Sequence, residues 1–414
     1  MCDGTFRVMD PIYFRALHVR QGDVQVTFLS ADLFLLDDDF ERMVRAELSD
    51  QALPPGTLWR GPSHLSTAPI FANHYVLQPT ASLRHFGRER DYARAAAMAI
   101  AQAMADASPA EVAVGVDQAP GELAFNRRAY DREGRFTYVS LSQWRNAPDH
   151  LTYEPYDQQL GVVYFRRAGG KRPIALLNFG CHALSLIDHI GHISGDYCGL
   201  LCQSYDVDGV DALFIQGALG NVSPNRVDPH PAKHIADTLR TLADQIIESI
   251  EPSVGDMPLR TSQRTITLPF RPLPTRERAL RDLESAMREG RPDNTGRLRV
   301  WLSERFADQP NYTMSIRALA IGSSCLICIP GEPLAHVALR LRAELGWEHL
   351  LVLASPCPEV GYLATRQVLR EGANEAMHST LVPDAEQLVI AAATEASREL
   401  EEPALATRAD ALRA

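Results

Sequence analysis

Reactive side chains and a backbone able to hold them still coincide first in Gln216-Gly217-Ala218-Leu219-Gly220-Asn221-Val222-Ser223-Pro224-Asn225. The apolar run Val210-Asp211-Ala212-Leu213-Phe214-Ile215 before it reads as a buried strand. A strand that ends in glycines, a serine and Pro-Asn turns sharply and presents a hydroxyl at its C-terminal edge, where sites of α/β proteins collect. The same residues also suit an ordinary loop. Ser223 has two chemical readings: a nucleophile, for which the sequence shows no base partner, or a group that orients a substrate or a bound water. The second place is Ile174 to Phe179, another buried strand, which ends at Gly180-Cys181-His182. An imidazole at such an edge can hold a metal with a rigid strand behind it, or be a satisfied core histidine. Cys181 is expected on the opposite face of that strand. His64 is by itself a loop histidine. His189-x-x-His192 has a metal-like spacing but is assigned to a pocket rim or the surface, and Cys325-x-x-Cys328 lies inside an apolar run and is assigned to core thiols.

The Ser223 segment resembles the Gly-Asp-Val-Ser-Pro-Asn signature of the neutral, non-lysosomal ceramidases, with Asn221 in place of the Asp. Gly61-Pro62-Ser63-His64-Leu65-Ser66-Thr67-Ala68-Pro69, Gly180-Cys181-His182, Pro330-Gly331-Glu332 and Gly361-Tyr362-Leu363-Ala364-Thr365 are similar to further elements of that family, in the same order. The likeness runs roughly from residue 10 to residue 380. It implies a zinc-dependent hydrolase of linear amides, one zinc per chain, held by His64, His182, Glu332 and Tyr362. It also implies that Arg127, in Asn126-Arg127, lies near the substrate pocket, and that Asn225 contacts substrate. Two departures bear on catalysis. Ser66 stands where the family has a carbonyl-polarising His, and Arg370 stands where it has a Tyr that binds the developing oxyanion. Ser66 carries no charge near pH 7, whereas Arg370 offers a permanent one. These changes point to a small, polar, soluble N-acyl compound or biosynthetic intermediate rather than membrane ceramide. A metal-free serine hydrolase or acyltransferase using Ser223, and a non-catalytic ligand-binding member of the fold, are the alternatives.

Positioning these residues requires many strands. Ala16 to Val19 and Val24 to Ser30 read as a hairpin, and strands are expected at 112–116, 160–165, 174–179, 257–269, 314–319, 324–329 and 350–354. Helices are expected at 39–48, 91–107, 197–205, 231–250, 276–289, 298–306, 334–345 and 383–400, with Asp196 as an N-cap and 292–297 as a linker. The pattern predicts an α/β protein: one large catalytic domain, residues 1–400, of mixed β-sheets layered with helices, then a tail over 401–414. A C-terminal immunoglobulin-like domain, usual in the family, is not expected.

The 414 residues are 45% hydrophobic and 22% charged, a globular composition with a formal net charge of -11. That sign argues against a nucleic-acid partner. An odd count of seven scattered Cys suggests reduced thiols and a cytoplasmic protein. The N-terminus has neither the basic start nor the apolar segment of a secretory signal, and no membrane span is expected. A homo-oligomer is compatible with the sequence.

Overall fold

The computed structural model describes residues 7–48, 53–69, 88–144, 147–189, 191–250, 257–289 and 294–401. The tail expected after residue 401 and the start of the expected linker, 292–293, lie outside the described residues. The architecture is α/β, with mixed sheets layered between helices. The strands of its three larger sheets are numbered β1 to β11 below.

One arrangement occurs three times. In the first sheet β1 (Phe14–Gln21) pairs antiparallel with β2 (Val24–Ala31), and β2 pairs parallel with β3 (Leu58–Pro62). In the second, β4 (Ala110–Gln118), β5 (Gln159–Arg167) and β6 (Ile174–Phe179) are successively antiparallel, and β6 is parallel to β7 (Asp211–Gln216). In the third, β8 (Leu259–Pro269), β9 (Asn311–Ile321) and β10 (Ser324–Pro330) are antiparallel, and β10 is parallel to β11 (His349–Ser355). A parallel neighbour needs a crossover, and a helix supplies each: α1 (Asp38–Glu47), α3 (Asp196–Val207) and α7 (Ala335–Glu344).

The layers follow from alternation along the strands. Phe28, Trp59, Leu213 and Ile215 meet Leu326, Cys328, Leu351 and Leu353 in a core between the first two sheets and the third. On the far side of the first two sheets, Leu29, Ala212 and Phe214 pack against α1, α2 (Glu89–Ala105), α3 and α4 (Pro231–Ser249). On the far side of the third, Cys325, Ile327 and Ile329 pack against α7 and α10 (Ala385–Arg398). Strands covered on both faces read as continuous apolar runs, which is why they are legible in the sequence. Cys325 and Cys328 therefore face opposite cores as buried free thiols, and their spacing has no redox geometry.

Local differences from the sequence expectation have simple causes. Helices α5 (Arg276–Arg288) and α6 (Asn294–Phe306) bracket the expected linker, and α6 starts inside it because Leu298 and Leu302 fix it against the core. Asp196 is the first residue of α3, not its N-cap, which is Gly195. Its carboxylate still accepts backbone N–H groups, from Leu186 at 3.1 Å and Tyr197 at 2.6 Å.

Candidate metal centre

The C-terminal ends of β3, β6, β10 and β11 converge. His64 follows β3, His182 follows β6 and Glu332 follows β10. Tyr362 is brought beside Glu332 by a short parallel pairing that sets Glu332 opposite Tyr362 and Pro333 opposite Leu363. Gly331 and Gly361, immediately before these two residues, have φ of 88° and 59°, a region open to glycine. His64 itself has φ 60°, an uncommon conformation for a residue with a Cβ and one that collects at functional sites.

The side chains of His64, His182 and Glu332 are all buried, and one ligand atom from each lies within 4.8 Å of the others. The Glu332 carboxylate bridges the imidazoles: Oε1 is 3.1 Å from His64 Nε2 and Oε2 is 3.2 Å from His182 Nε2. The Tyr362 hydroxyl is 3.3 Å from His182 Nε2 and accepts a hydrogen bond from the Asn374 amide at 3.2 Å. His182 Nδ1 donates to the Val222 carbonyl at 2.8 Å, which leaves Nε2 as the free lone pair of a neutral ring. Burial, helped by the charge of Arg127, lowers the His182 pKa to about 4. Burial alone would raise the Glu332 carboxyl, but the two imidazoles override it and hold it well below the ordinary carboxylate range. The His182 Nε2 atom lies at hydrogen-bond distance from both the Glu332 carboxylate and the Tyr362 hydroxyl. The His64 contact with Glu332 lacks hydrogen-bond geometry. Lone pairs converging in this way fit a divalent cation. Two imidazoles and a carboxylate are a good zinc set, and a phenol oxygen can join it.

Ser223 lies on the short strand Val222–Pro224, paired with Ala124–Asn126. Its hydroxyl is buried and has no hydrogen-bond partner among the described residues, so no base among them touches it; the Ser66 hydroxyl likewise has no partner among them. Arg127 is buried with its guanidinium 5.7 Å over the Tyr362 ring. It donates to the Gly220 carbonyl and pairs with the fully buried Glu375 at 2.9 Å. Asn225 and Arg370 are not drawn to the cluster. The Asn225 amide accepts from Trp144 Nε1 at 3.1 Å and donates to the Glu122 carbonyl at 2.8 Å. Arg370 is exposed near the end of α8 (Arg366–Glu371). His189 is exposed and His192 half-buried, and Cys181 faces the helix-side core.

Several residues that shape the site carry no readable signal in the sequence. Glu375 and Glu371 neutralise Arg127 and its neighbour Arg128 across more than two hundred positions of chain. His378 is a buried imidazole 6.4 Å, centroid to centroid, from the Tyr362 ring; its Nδ1 donates to the Asn374 carbonyl at 3.0 Å, and burial lowers its pKa. In this corner the sequence singles out only Arg370, within Arg370-Glu371-Gly372-Ala373.

No protein-family model and no curated protein matches the chain. Solved structures do. The chain is similar in fold to the neutral ceramidase from Pseudomonas aeruginosa, with a TM-score of 0.65 at 18% identity over 96% of this chain and 74% of that one. It is equally similar to a ceramidase complexed with C2, with a TM-score of 0.65 at 17% identity over 92% of this chain and 69% of that one.

Proposed function

We propose that the protein is a zinc-dependent amide hydrolase with one zinc per chain, a divergent relative of the neutral ceramidases whose catalytic unit is residues 1–400. The observation that carries this reading is the buried Glu332 carboxylate set between the imidazoles of His64 and His182, with Tyr362 beside them. The fold likeness to two ceramidase structures supports it. Zinc held there supplies Lewis acidity for the carbonyl and a bound water acidified toward a pKa of about 7.

The chain's own residues do the rest. His64, His182 and Glu332 hold the ion, with Tyr362 as an additional oxygen ligand. Val222 keeps the His182 ring in the tautomer that leaves Nε2 free. The Ser223 hydroxyl, buried and without a partner among the described residues, orients the amide or the attacking water; no base among those residues touches it to activate it as a nucleophile. Ser66 offers a second unpartnered hydroxyl. Arg127, its charge neutralised by Glu375, packs its guanidinium against the Tyr362 ring and so steadies that ring beside the cluster. Asn225 fixes the turn behind Ser223. Arg370, exposed, is left for the rim, where it would meet a polar end of the substrate.

The substrate we favour is a small polar N-acyl compound. No described helix is long and apolar enough to cross a membrane. The deciding experiment is metal analysis of the purified protein beside a His182→Ala variant, followed by amine release from a panel of polar N-acyl compounds and a short-chain ceramide. About one zinc per chain, lost in the variant, with release that needs zinc, is the expected result. A wild type that takes up no zinc would overturn the reading.

A further inference from the structure

The turn that presents Ser223 touches both arms of the metal centre, and Asn221 is where the two contacts meet. We propose that Asn221 is a positioning residue that sets the Glu332 arm against the His182 arm by capping helix α7 from a different sheet. The inference rests on the metal reading above.

Asn221 is buried, only 1% exposed, so its amide serves the protein interior. Its Oδ1 accepts the N–H of Ala335, the first residue of α7, at 2.8 Å across 114 residues of sequence. That helix has no side-chain cap of its own, because its N-cap residue is Leu334. The first N–H groups of a helix need an outside acceptor, and here a single amide from the Ser223 turn supplies one. Glu332 lies just before that helix start, separated by Pro333 and Leu334.

The neighbours of Asn221 extend the clamp in both directions. Before it, Gly220 donates its N–H to the Pro333 carbonyl at 2.9 Å. A Cβ at Gly220 would lie 2.7 Å from the Glu332 carbonyl oxygen, so the turn is pressed directly onto the ligand's backbone. After it, the Val222 carbonyl accepts both the backbone N–H of His182, at 3.1 Å, and its ring Nδ1–H, at 2.8 Å. The Asn221 carbonyl itself accepts from the Arg127 N–H at 2.8 Å. One residue therefore separates the contact that fixes Glu332 from the contact that fixes His182. Removing its amide frees the start of α7, and with it Glu332, while His182 stays tied to Val222. A carboxylate would offer the same acceptor to the same helix N-terminus, where negative charge is favoured, so Asp can replace Asn here.

The test is zinc affinity, by competition with a chromophoric chelator, for the full-length wild type, Asn221→Ala, Asn221→Ser and Asn221→Asp, each checked for native near-ultraviolet circular dichroism. Asn221→Ala is expected to stay folded and bind zinc about 10- to 100-fold more weakly, the range for groups that orient metal ligands. Asn221→Ser, too short to reach Ala335, should weaken binding in the same direction and gives the reading if the Ala variant does not fold. Asn221→Asp should restore affinity to within a few-fold of wild type. A wild type that binds zinc, with folded Ala or Ser variants that bind equally well, would overturn the assignment and leave the metal reading intact. An Asp variant as weak as Ala would overturn it too. A wild type that binds no zinc would remove the premise of both.

Discussion

At the scale of single residues, burial decides charge. His182 is neutral because burial and the charge of Arg127 outweigh the pull of Glu332, and Glu332 is ionised because the imidazoles of His64 and His182 outweigh its burial. A second buried carboxyl behaves in the opposite way. Glu359, on the loop between β11 and Tyr362, is fully buried, and its pKa is pushed up to about 8 by burial and by the charges of Asp38 and Asp37, against the pull of Arg60. One oxygen accepts from the Asp38 N–H at 3.3 Å and the other has no hydrogen-bond partner among the described residues. The native state keeps this proton up to about pH 8, whereas an unfolded chain releases it near 4.5. Stability from this group is therefore full below pH 4.5, falls as pH rises through the window between the two values, and levels off above it. Glu359→Gln mimics the protonated form without its titration. The variant should melt at least ~2 °C higher than wild type at pH 9 and differ little at pH 5, which thermal melts at the two values would check. Equal melting at pH 9 would show that Glu359 is already accommodated as an anion. The candidate ligand His182 has the other sign. With a folded pKa near 4 against an ordinary 6.5, it makes the metal-free protein less stable as pH falls from 6.5 toward 4, because only the unfolded chain takes up the proton there. His182→Ala should flatten that limb in chelator-treated protein.

At the scale of elements, what was legible in the sequence is what a strand's own alternation and ending record. The runs before His182, Ser223 and Glu332 are buried on both faces, so they stand out as apolar segments, and the residues that end them mark the site. The partners that hold those residues were not legible, because they are made by register and by crossovers: Asn221 to Ala335, Arg127 to Glu375, Glu332 opposite Tyr362. Asn225 and Arg370 illustrate the limit. Their motif positions suggested roles at the site; the Asn225 amide is held by Trp144 Nε1 and the Glu122 carbonyl, and Arg370 sits on the exposed face of a short helix, away from the buried cluster. The helix start at Asn294 was hidden for the same reason, since Leu298 and Leu302 pack against a distant core. The Gly361 turn gives an element-scale prediction. Its φ is 59°, and a side chain there would run into the His378 carbonyl. Gly361→Ala should destabilise the protein by about 1–3 kcal/mol in denaturant melts and displace Tyr362, weakening zinc binding. Unchanged stability would mean that the loop has an alternative path.

At the scale of the whole molecule, the candidate metal centre is where the three sheets meet. His64 comes from the first, His182 from the second, and Glu332 and Tyr362 from the third, each at the end of a strand in a parallel pair or on the loop that follows it. The same pairing, two antiparallel strands, a helix and a parallel strand, recurs in each sheet and turns those ends toward one another. An ion bound there ties together chain segments that in the unfolded state are independent. Zinc at 100 times its dissociation constant should then stabilise the native state by about 2.7 kcal/mol. For a chain of 414 residues, the average unfolding entropy per residue converts this to a rise in Tm of ~3 °C. The comparison is between chelator-treated and zinc-loaded protein, with His182→Ala as control. A shift in the wild type and none in the variant is expected. A shift that survives in His182→Ala would place the stabilising zinc elsewhere on the surface. No shift in either would mean that the sheets hold the three ends together unaided, with the imidazoles and the carboxylate satisfied by one another.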